Sequence, residues 1–150
     1  MPTPVEIHFE ESSADMALAA KGRLAVLLPP EGKLGGGALR IDRATKGAVR
    51  RALDSAAWGK LKAGDAMDLA FAAGVAADAV QLVKLPAKAT VIEARRAGAA
   101  IGKALGAGGA VVWAGNHPRA ADVSLGLALR AYEFSIYKSG EKAVKGAVRF

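Results

Sequence analysis

The spacing of hydrophobic and polar positions changes along this chain between a strand period and a helix period. Strand-like segments occur at residues 5–10, 23–28, 67–73, 79–85 and 110–114. Apolar residues at helical spacing follow at 39–55, 90–105 and 119–139. The connection between the third and fourth strand segments is short enough for a hairpin. This alternation predicts one α/β domain of three layers, with helices on both faces of a mixed sheet of about five or six strands.

The helix predicted over residues 119–139 has apolar residues on two sides. One stripe contains Leu125, Ala128, Leu129, Tyr132 and Ile136, and a second stripe contains Val123, Leu127 and Phe134. A helix with two apolar sides needs two surfaces to pack against, and the domain's own sheet supplies one of them. We expect the second stripe to be exposed at a domain interface, together with Tyr137.

The length and composition of the chain indicate a single domain without a membrane span, a signal peptide or disulfides. The 150 residues correspond to one domain, and no apolar run approaches the ~18 residues of a membrane span. The first residues lack the basic and apolar order of a signal peptide. Cysteine is absent, which excludes disulfides and thiolate metal sites and fits a reducing compartment. We therefore expect a cytoplasmic protein with no membrane partner.

The net charge of +7 raises the question of an anionic partner. The densest basic cluster contains Arg40, Arg43, Lys46, Arg50 and Arg51, on the outer face of the first predicted helix. No aromatic residues interleave with it, so a solvated basic surface is the simpler interpretation. Nucleic acid remains an alternative partner, for which a salt-dependent gel shift is the test.

The residues that commonly carry chemistry do not form a catalytic or metal-binding pattern. His8 and His117 have no ligand partner at helical or loop spacing, so no metal site is predicted, and His117 is assigned to a turn. Ser124 and Ser135 lie inside a predicted helix, and no G-x-S-x-G elbow occurs. Asp42 is interpreted as a helix cap. The sequence thus predicts no catalytic residue.

Three glycines, Gly35, Gly36 and Gly37, precede the first predicted helix and are the candidate for binding a small molecule. Their backbone N–H groups are able to approach a phosphate, although no Lys-Ser/Thr pair of a P-loop follows, and a surface turn is the alternative. Residues 34–53, LGGGALRIDRATKGAVRRAL, resemble the Gly-rich loop and helix of macro domains, which bind ADP-ribose. The family's Asn-rich segment is replaced here by Pro29-Pro30-Glu31. This resemblance implies an alternative function, a stand-alone module that binds ADP-ribose or another nucleotide.

A second resemblance covers nearly the whole chain. The pattern G-x-x-L-x-x-Y-x-F-x-x-Y-K is formed by Gly126, Leu129, Tyr132, Phe134, Tyr137 and Lys138. It resembles the end of the N-terminal domain of the leucyl aminopeptidases, also called cytosol aminopeptidases. Residues 40–71, 79–86 and 94–105 resemble further blocks of that domain in the same order, although Lys84 stands where a glycine is common. That domain is itself similar in fold to macro domains.

This second resemblance implies that the chain is a non-catalytic domain of a longer enzyme. Family members remove N-terminal amino acids from peptides with two divalent metals, commonly zinc, manganese or magnesium, held in a C-terminal catalytic domain. Its signature N-T-D-A-E-G-R-L does not occur in this sequence, so no catalytic residue or cofactor is assigned to this chain. We expect residues 1–139 to form the N-terminal domain and residues 140–150 to begin the connection to the catalytic domain. The implied partners are that catalytic domain and the other subunits of a homohexamer, and the parent protein, not this chain alone, is the enzyme.

Overall fold

A mixed six-stranded sheet forms the centre of the structure. The structure is a computed structural model, and it describes residues 7–8, 22–32, 36–70, 74–104, 109–113, 117–137 and 148–149. Of residues 7–8, 36–37, 131–137 and 148–149 it describes the backbone only. The predicted mixed sheet with accompanying helices is confirmed.

The secondary structure elements follow one another in an α/β order. The strands are β1 (Ile7–His8), β2 (Arg23–Leu28), β3 (Ala66–Ala70), β4 (Ala79–Lys84), β5 (Ala110–Trp113) and β6 (Val148–Arg149). The helices are α1 (Gly36–Ala44), α2 (Ala48–Leu53), α3 (Ala56–Lys60), α4 (Val91–Ala104) and α5 (Ala120–Tyr137). None of these helices is both long and apolar enough to cross a membrane.

The strand order is β1-β6-β5-β2-β4-β3, and all neighbours are parallel except β3, which is antiparallel to β4. Strands β2 and β4 lie in the middle and are covered on both faces, so they are mostly apolar, although β4 also contains the buried residues Gln81 and Lys84. Strand β3 is an edge strand, and its residues alternate between half-buried and exposed. Four strands of four to six residues form the main sheet, and the two-residue strands β1 and β6 extend it.

Two cores lie on opposite faces of this sheet. On one face, residues of α4 and α5 such as Ala97, Ile101 and Leu127 pack on the strands. On the other face, residues of α1, α2 and α3 such as Ile41 and Trp58 do so. The alternation of side chains along each strand supplies both cores. The three-layer arrangement predicted from the sequence is confirmed.

The single helix predicted over residues 39–55 is wrong, because the chain breaks between α1 and α2. Lys46 and Gly47 adopt left-handed backbone angles, with φ of 57° and 80°. The Asp42 carboxylate accepts a hydrogen bond of 2.9 Å from the Arg50 N–H and so caps the first turn of α2. Asp42 is thus a helix cap as predicted, but for the helix after its own.

The final described strand, β6, pairs with both β5 and β1 in the sheet. The sequence assigned residues 140–150 to a connection that begins after residue 139. The sheet extends beyond that boundary, because Val148 and Arg149 occupy a position between two other strands.

Candidate functional site

Helices α4 and α5 form one outer layer and approach each other through glycines. A Cβ added to Gly98 would lie 1.9 Å from the Val123 carbonyl oxygen, and one added to Gly126 would lie 2.2 Å from the Arg95 carbonyl oxygen. Gly102 is similarly close to the Leu127 carbonyl oxygen, at 2.6 Å. The backbones of the two helices are therefore nearly in contact, and this contact determines which side of α5 faces the sheet.

The buried side of α5 is the one that the sequence assigned to an interface. Val123 and Leu127 are both fully buried and belong to the core under α4 and α5. The expectation that these two residues are exposed is wrong, because the glycine contacts rotate them toward the sheet. The side chains of Phe134 and Tyr137 lie outside the described residues, so their predicted interface role stays a prediction.

The exposed side of α5 carries the other apolar stripe. Leu125 and Leu129 are 40% and 50% exposed, and Ile92 at the start of α4 is 73% exposed. These are the exposed large hydrophobic residues among those that the structure describes, and all three lie in the α4–α5 layer. An apolar surface concentrated on one layer is typical of a surface that packs against another protein segment.

The opposite layer is basic rather than apolar. The exposed side chains on and between α1 and α2 include all five members of the predicted cluster: Arg40, Arg43, Lys46, Arg50 and Arg51. The neighbouring carboxylate of Asp42 is buried, whereas Asp54 is exposed. The exposed large apolar residues thus lie on the α4–α5 layer and the densest basic cluster on the opposite layer, although α4 also exposes Arg95, Arg96 and Lys103.

The carboxyl end of β2 is where α/β folds commonly bind ligands, because α1 leaves to one face of the sheet and the helices after β4 and β5 lie on the other. Gly36 and Gly37 are the first residues of α1, so that helix begins earlier than predicted. Gly35 lies outside the described residues. The loop directly after β2 begins with Pro29 and Pro30, which have no N–H group to offer a phosphate.

Two buried side chains, those of Lys84 and Trp58, lie at the carboxyl ends of β4 and β2. The Lys84 ammonium donates hydrogen bonds to the carbonyl oxygens of Trp58 (3.0 Å) and Leu61 (2.8 Å). It also lies 5.3 Å from the centroid of the Trp58 ring, and the indole N–H donates to the Pro30 carbonyl at 3.2 Å.

His117 connects two loops at the same end of the sheet. Its Nε2 atom donates to the Pro86 carbonyl at 2.9 Å, and its Nδ1 atom accepts from the Arg119 N–H at 3.0 Å. The ring thus bridges the loop after β4 and the start of α5. The turn role predicted for His117 is confirmed.

Side chains of catalytic or metal-binding type are not clustered in the part of the chain that the structure describes. Within these residues, no group of three or more His, Cys, Asp or Glu side chains is placed to hold a metal ion. Ser124 donates its hydroxyl proton to the Ala121 carbonyl at 2.7 Å, a bond within its own helix. The backbone of His8 lies in β1, and its side chain is outside the description. The described residues therefore do not fit the two-metal centre that the resemblance implies for the parent enzyme.

Two curated proteins named probable cytosol aminopeptidase are similar to this chain. The protein from Cereibacter sphaeroides is 48% identical over 148 residues, which cover 99% of this chain and 30% of the relative. The protein from Dinoroseobacter shibae is 44% identical over 142 residues, which cover 95% of this chain and 29% of the relative. The chain thus spans about 30% of the length of these relatives and matches their N-terminal part. No protein-family model matches it.

Solved structures with the same fold include both aminopeptidases and macrodomains. A mutant of tomato leucine aminopeptidase aligns with a TM-score of 0.70 and 15% identity, over 99% of this chain and 32% of that chain. The macrodomain of Mycobacterium tuberculosis DarG aligns with a TM-score of 0.65 and 12% identity, over 97% of each chain. A Trypanosoma brucei macrodomain in complex with ADP-ribose aligns with a TM-score of 0.57 and 14% identity, over 93% of this chain and 66% of that chain. At these identities the alignments show the fold alone. The curated relatives show that almost the whole chain is similar to the N-terminal part of cytosol aminopeptidases, and the solved structures show that its fold is macrodomain-like.

Proposed function

We propose that this chain is the non-catalytic N-terminal domain of a cytosolic, metal-dependent leucyl aminopeptidase, an enzyme that removes N-terminal amino acids from peptides. Its role is to pack on the catalytic domain of the same polypeptide and to contribute to a homohexamer. The proposal is supported by 44–48% identity to cytosol aminopeptidases of which the chain spans about 30%. In this proposal the two divalent metals, zinc, manganese or magnesium, are held by the catalytic domain of that polypeptide.

The observation that carries this proposal is the apolar stripe on the outer side of α5. Leu125 and Leu129 are one helical turn apart, so they form a single ridge rather than scattered residues. Fully burying a leucine side chain stabilises a structure by roughly 1.5–3 kcal/mol, and these two are already about half-buried. Covering both would therefore contribute on the order of 2 kcal/mol to a domain interface.

The reading frame downstream of the Phe150 codon provides the direct genetic test. A frame that continues into a segment with the metal-binding signature N-T-D-A-E-G-R-L supports the proposal. A stop codon directly after Phe150 contradicts it, because no catalytic domain would then exist in the same polypeptide.

The packing surface is tested in the polypeptide that includes the catalytic domain. We expect Leu125→Glu combined with Leu129→Glu to weaken assembly, measured by light scattering, because two carboxylates would have to be desolvated at the interface. The matched control is Ala57→Glu, an exposed position on α3 in the opposite layer. Circular dichroism of both variants establishes that the domain itself is folded. If the double variant assembles as the parent does, α5 is not the interface.

A further inference from the structure

A polar cluster lies within the sheet, on the face covered by α4. Its members are Arg23 on β2, Gln81 on β4 and Asp68 on the edge strand β3. Ala25 pairs with Gln81, and Gln81 pairs with Asp68, so the side chains of these paired residues point to the same face. Arg23 is two residues before Ala25 and shares that face. The three polar side chains therefore meet across three neighbouring strands.

Two hydrogen bonds in the structure orient the side chains of this cluster. The Arg23 Nη2 atom donates to Asp68 Oδ1 at 2.7 Å, across the intervening strand β4. The Gln81 Nε2 atom donates to the Ala100 carbonyl on α4 at 3.2 Å. Since a carbonyl oxygen only accepts, the amide orientation of Gln81 is determined, and its Oε1 atom faces the other way.

Two buried polar atoms of the cluster have no partner among the described residues. They are Arg23 Nε, whose N–H is a donor, and Gln81 Oε1, which is an acceptor. Gln81 is only 3% exposed, so bulk solvent does not satisfy it. An unsatisfied buried polar group costs about 1–3 kcal/mol, which makes two of them in one cluster a feature that needs an explanation.

From this arrangement we infer that the cluster is a binding site for one internal water molecule. The water accepts a hydrogen bond from Arg23 Nε–H and donates one to Gln81 Oε1. Its second proton is directed to Asp68 Oδ2, which makes three bonds, the usual number for a buried water. The bound water joins the edge strand β3 to the two central strands and completes the polar network beneath α4.

The hydrogen-bond chemistry selects water over an ion. An anion has no proton to donate to Gln81 Oε1 and would be repelled by the Asp68 carboxylate. A cation would be repelled by the Arg23 guanidinium and cannot accept its N–H. Only a molecule that both accepts and donates satisfies the three groups together.

Crystallography of the 150-residue chain, at a resolution that shows ordered water, tests the site. We expect a density peak within hydrogen-bond distance of both Arg23 Nε and Gln81 Oε1, and no anomalous signal there in crystals soaked in bromide. A direct Nε–H···Oε1 hydrogen bond with no density between the groups overturns the inference. A bromide peak at the site also overturns it.

Nuclear magnetic resonance supplies an independent measurement in solution. We expect the Arg23 Nε–H to show a cross-peak to a long-lived water. The internal control is the Arg119 Nε–H, which donates to the Ala89 carbonyl at 3.2 Å and should show none. In Gln81→Met, which removes the acceptor, the cross-peak should fall severalfold, whereas Gln81→Glu keeps an acceptor and should keep it. A wild-type Arg23 signal that matches the Arg119 signal overturns the inference without any variant.

Discussion

Replacing Gly98 with alanine tests whether the backbones of α4 and α5 are in contact. The added methyl group would lie 1.9 Å from the Val123 carbonyl oxygen and 2.7 Å from the Leu127 backbone nitrogen. Ordinary contacts of a Cβ atom begin at about 3.4 Å, so α5 must move outward by roughly 1–1.5 Å. Val123 and Leu127, which are fully buried, would move with it and lose packing contacts.

The expected magnitude is the difference between two opposing effects. Overpacking of a close contact costs about 1–3 kcal/mol and occasionally more, and the lost packing beneath α5 adds to this cost. Alanine stabilises a helix relative to glycine by about 1 kcal/mol, which offsets part of it. The net loss in free energy of unfolding should be about 1–3 kcal/mol. For a domain of this size, each kcal/mol lowers the Tm by roughly 2–4 °C.

The assay is urea unfolding monitored by circular dichroism, with thermal unfolding as a second measurement. The control is Gly59→Ala in α3, where an added Cβ meets no atom within 4 Å. This control removes a helical glycine without adding a clash, so we expect it to raise stability by up to about 1 kcal/mol. If Gly98→Ala is as stable as the control variant, the two helices are farther apart than the structure has them, and the explanation for the orientation of α5 fails.

Four further predictions follow from the same structure. Lys46→Gly should raise stability by about 0.5–1 kcal/mol, because a left-handed non-glycine residue is strained, and the change is measured by urea unfolding. Lys84→Met should lower stability by about 1–3 kcal/mol, because the carbonyls of Trp58 and Leu61 lose their donor. Calorimetric titration of the chain with ADP-ribose should show no binding heat, since the loop after β2 offers two prolines and the exposed Glu31 carboxylate to a diphosphate. The chain alone should not hydrolyse a leucine anilide, because the catalytic domain of the proposed parent supplies the metals.

Each of these predictions has a result that contradicts it. A less stable Lys46→Gly variant would mean that the backbone there is not left-handed. An unchanged midpoint for Lys84→Met would show that its two hydrogen bonds contribute little. A saturable ADP-ribose isotherm would favour the nucleotide-binding alternative. Anilide hydrolysis that copurifies with the chain and is abolished by a chelator would contradict the assignment of this chain as non-catalytic.

The main elements of the fold were predictable because their signals are local. The buried strands β2, β4 and β5 are short, mostly apolar runs, and α4 has the expected period together with a capping box. In that box the Thr90 N–H donates to the Glu93 carboxylate at 2.9 Å, and the Glu93 N–H donates to the Thr90 hydroxyl at 3.1 Å. The break between α1 and α2 was missed although Gly47 lies in it, because the apolar residues from Ile41 to Leu53 keep a helical period across the break.

The sequence predicted that the candidate site is an exposed apolar side of α5, but it did not identify the residues that form that side. The sequence indicated that α5 has two apolar sides and that one of them faces outward, and the structure has this property. The predicted side was wrong for Val123 and Leu127, because both stripes have helical period and similar hydrophobicity. The glycines at 98, 102 and 126 determine which side of α5 faces the sheet. Their effect could not be predicted, because it requires that two separate helices, α4 and α5, lie next to each other.

The sequence by itself determined the α/β class, the order of the long elements and the family resemblance, because these depend on periodicity and residue identity along the chain. Only the tertiary structure decided the rotation of α5, the hydrogen bonds that Lys84 and Trp58 make with loop carbonyl groups, and the polar cluster around Gln81. Each of these depends on contacts between residues far apart in sequence. Whether a residue is buried, and whether its polar groups are hydrogen-bonded, depends on such contacts. The pattern of hydrophobic and polar residues along the chain does not reveal them.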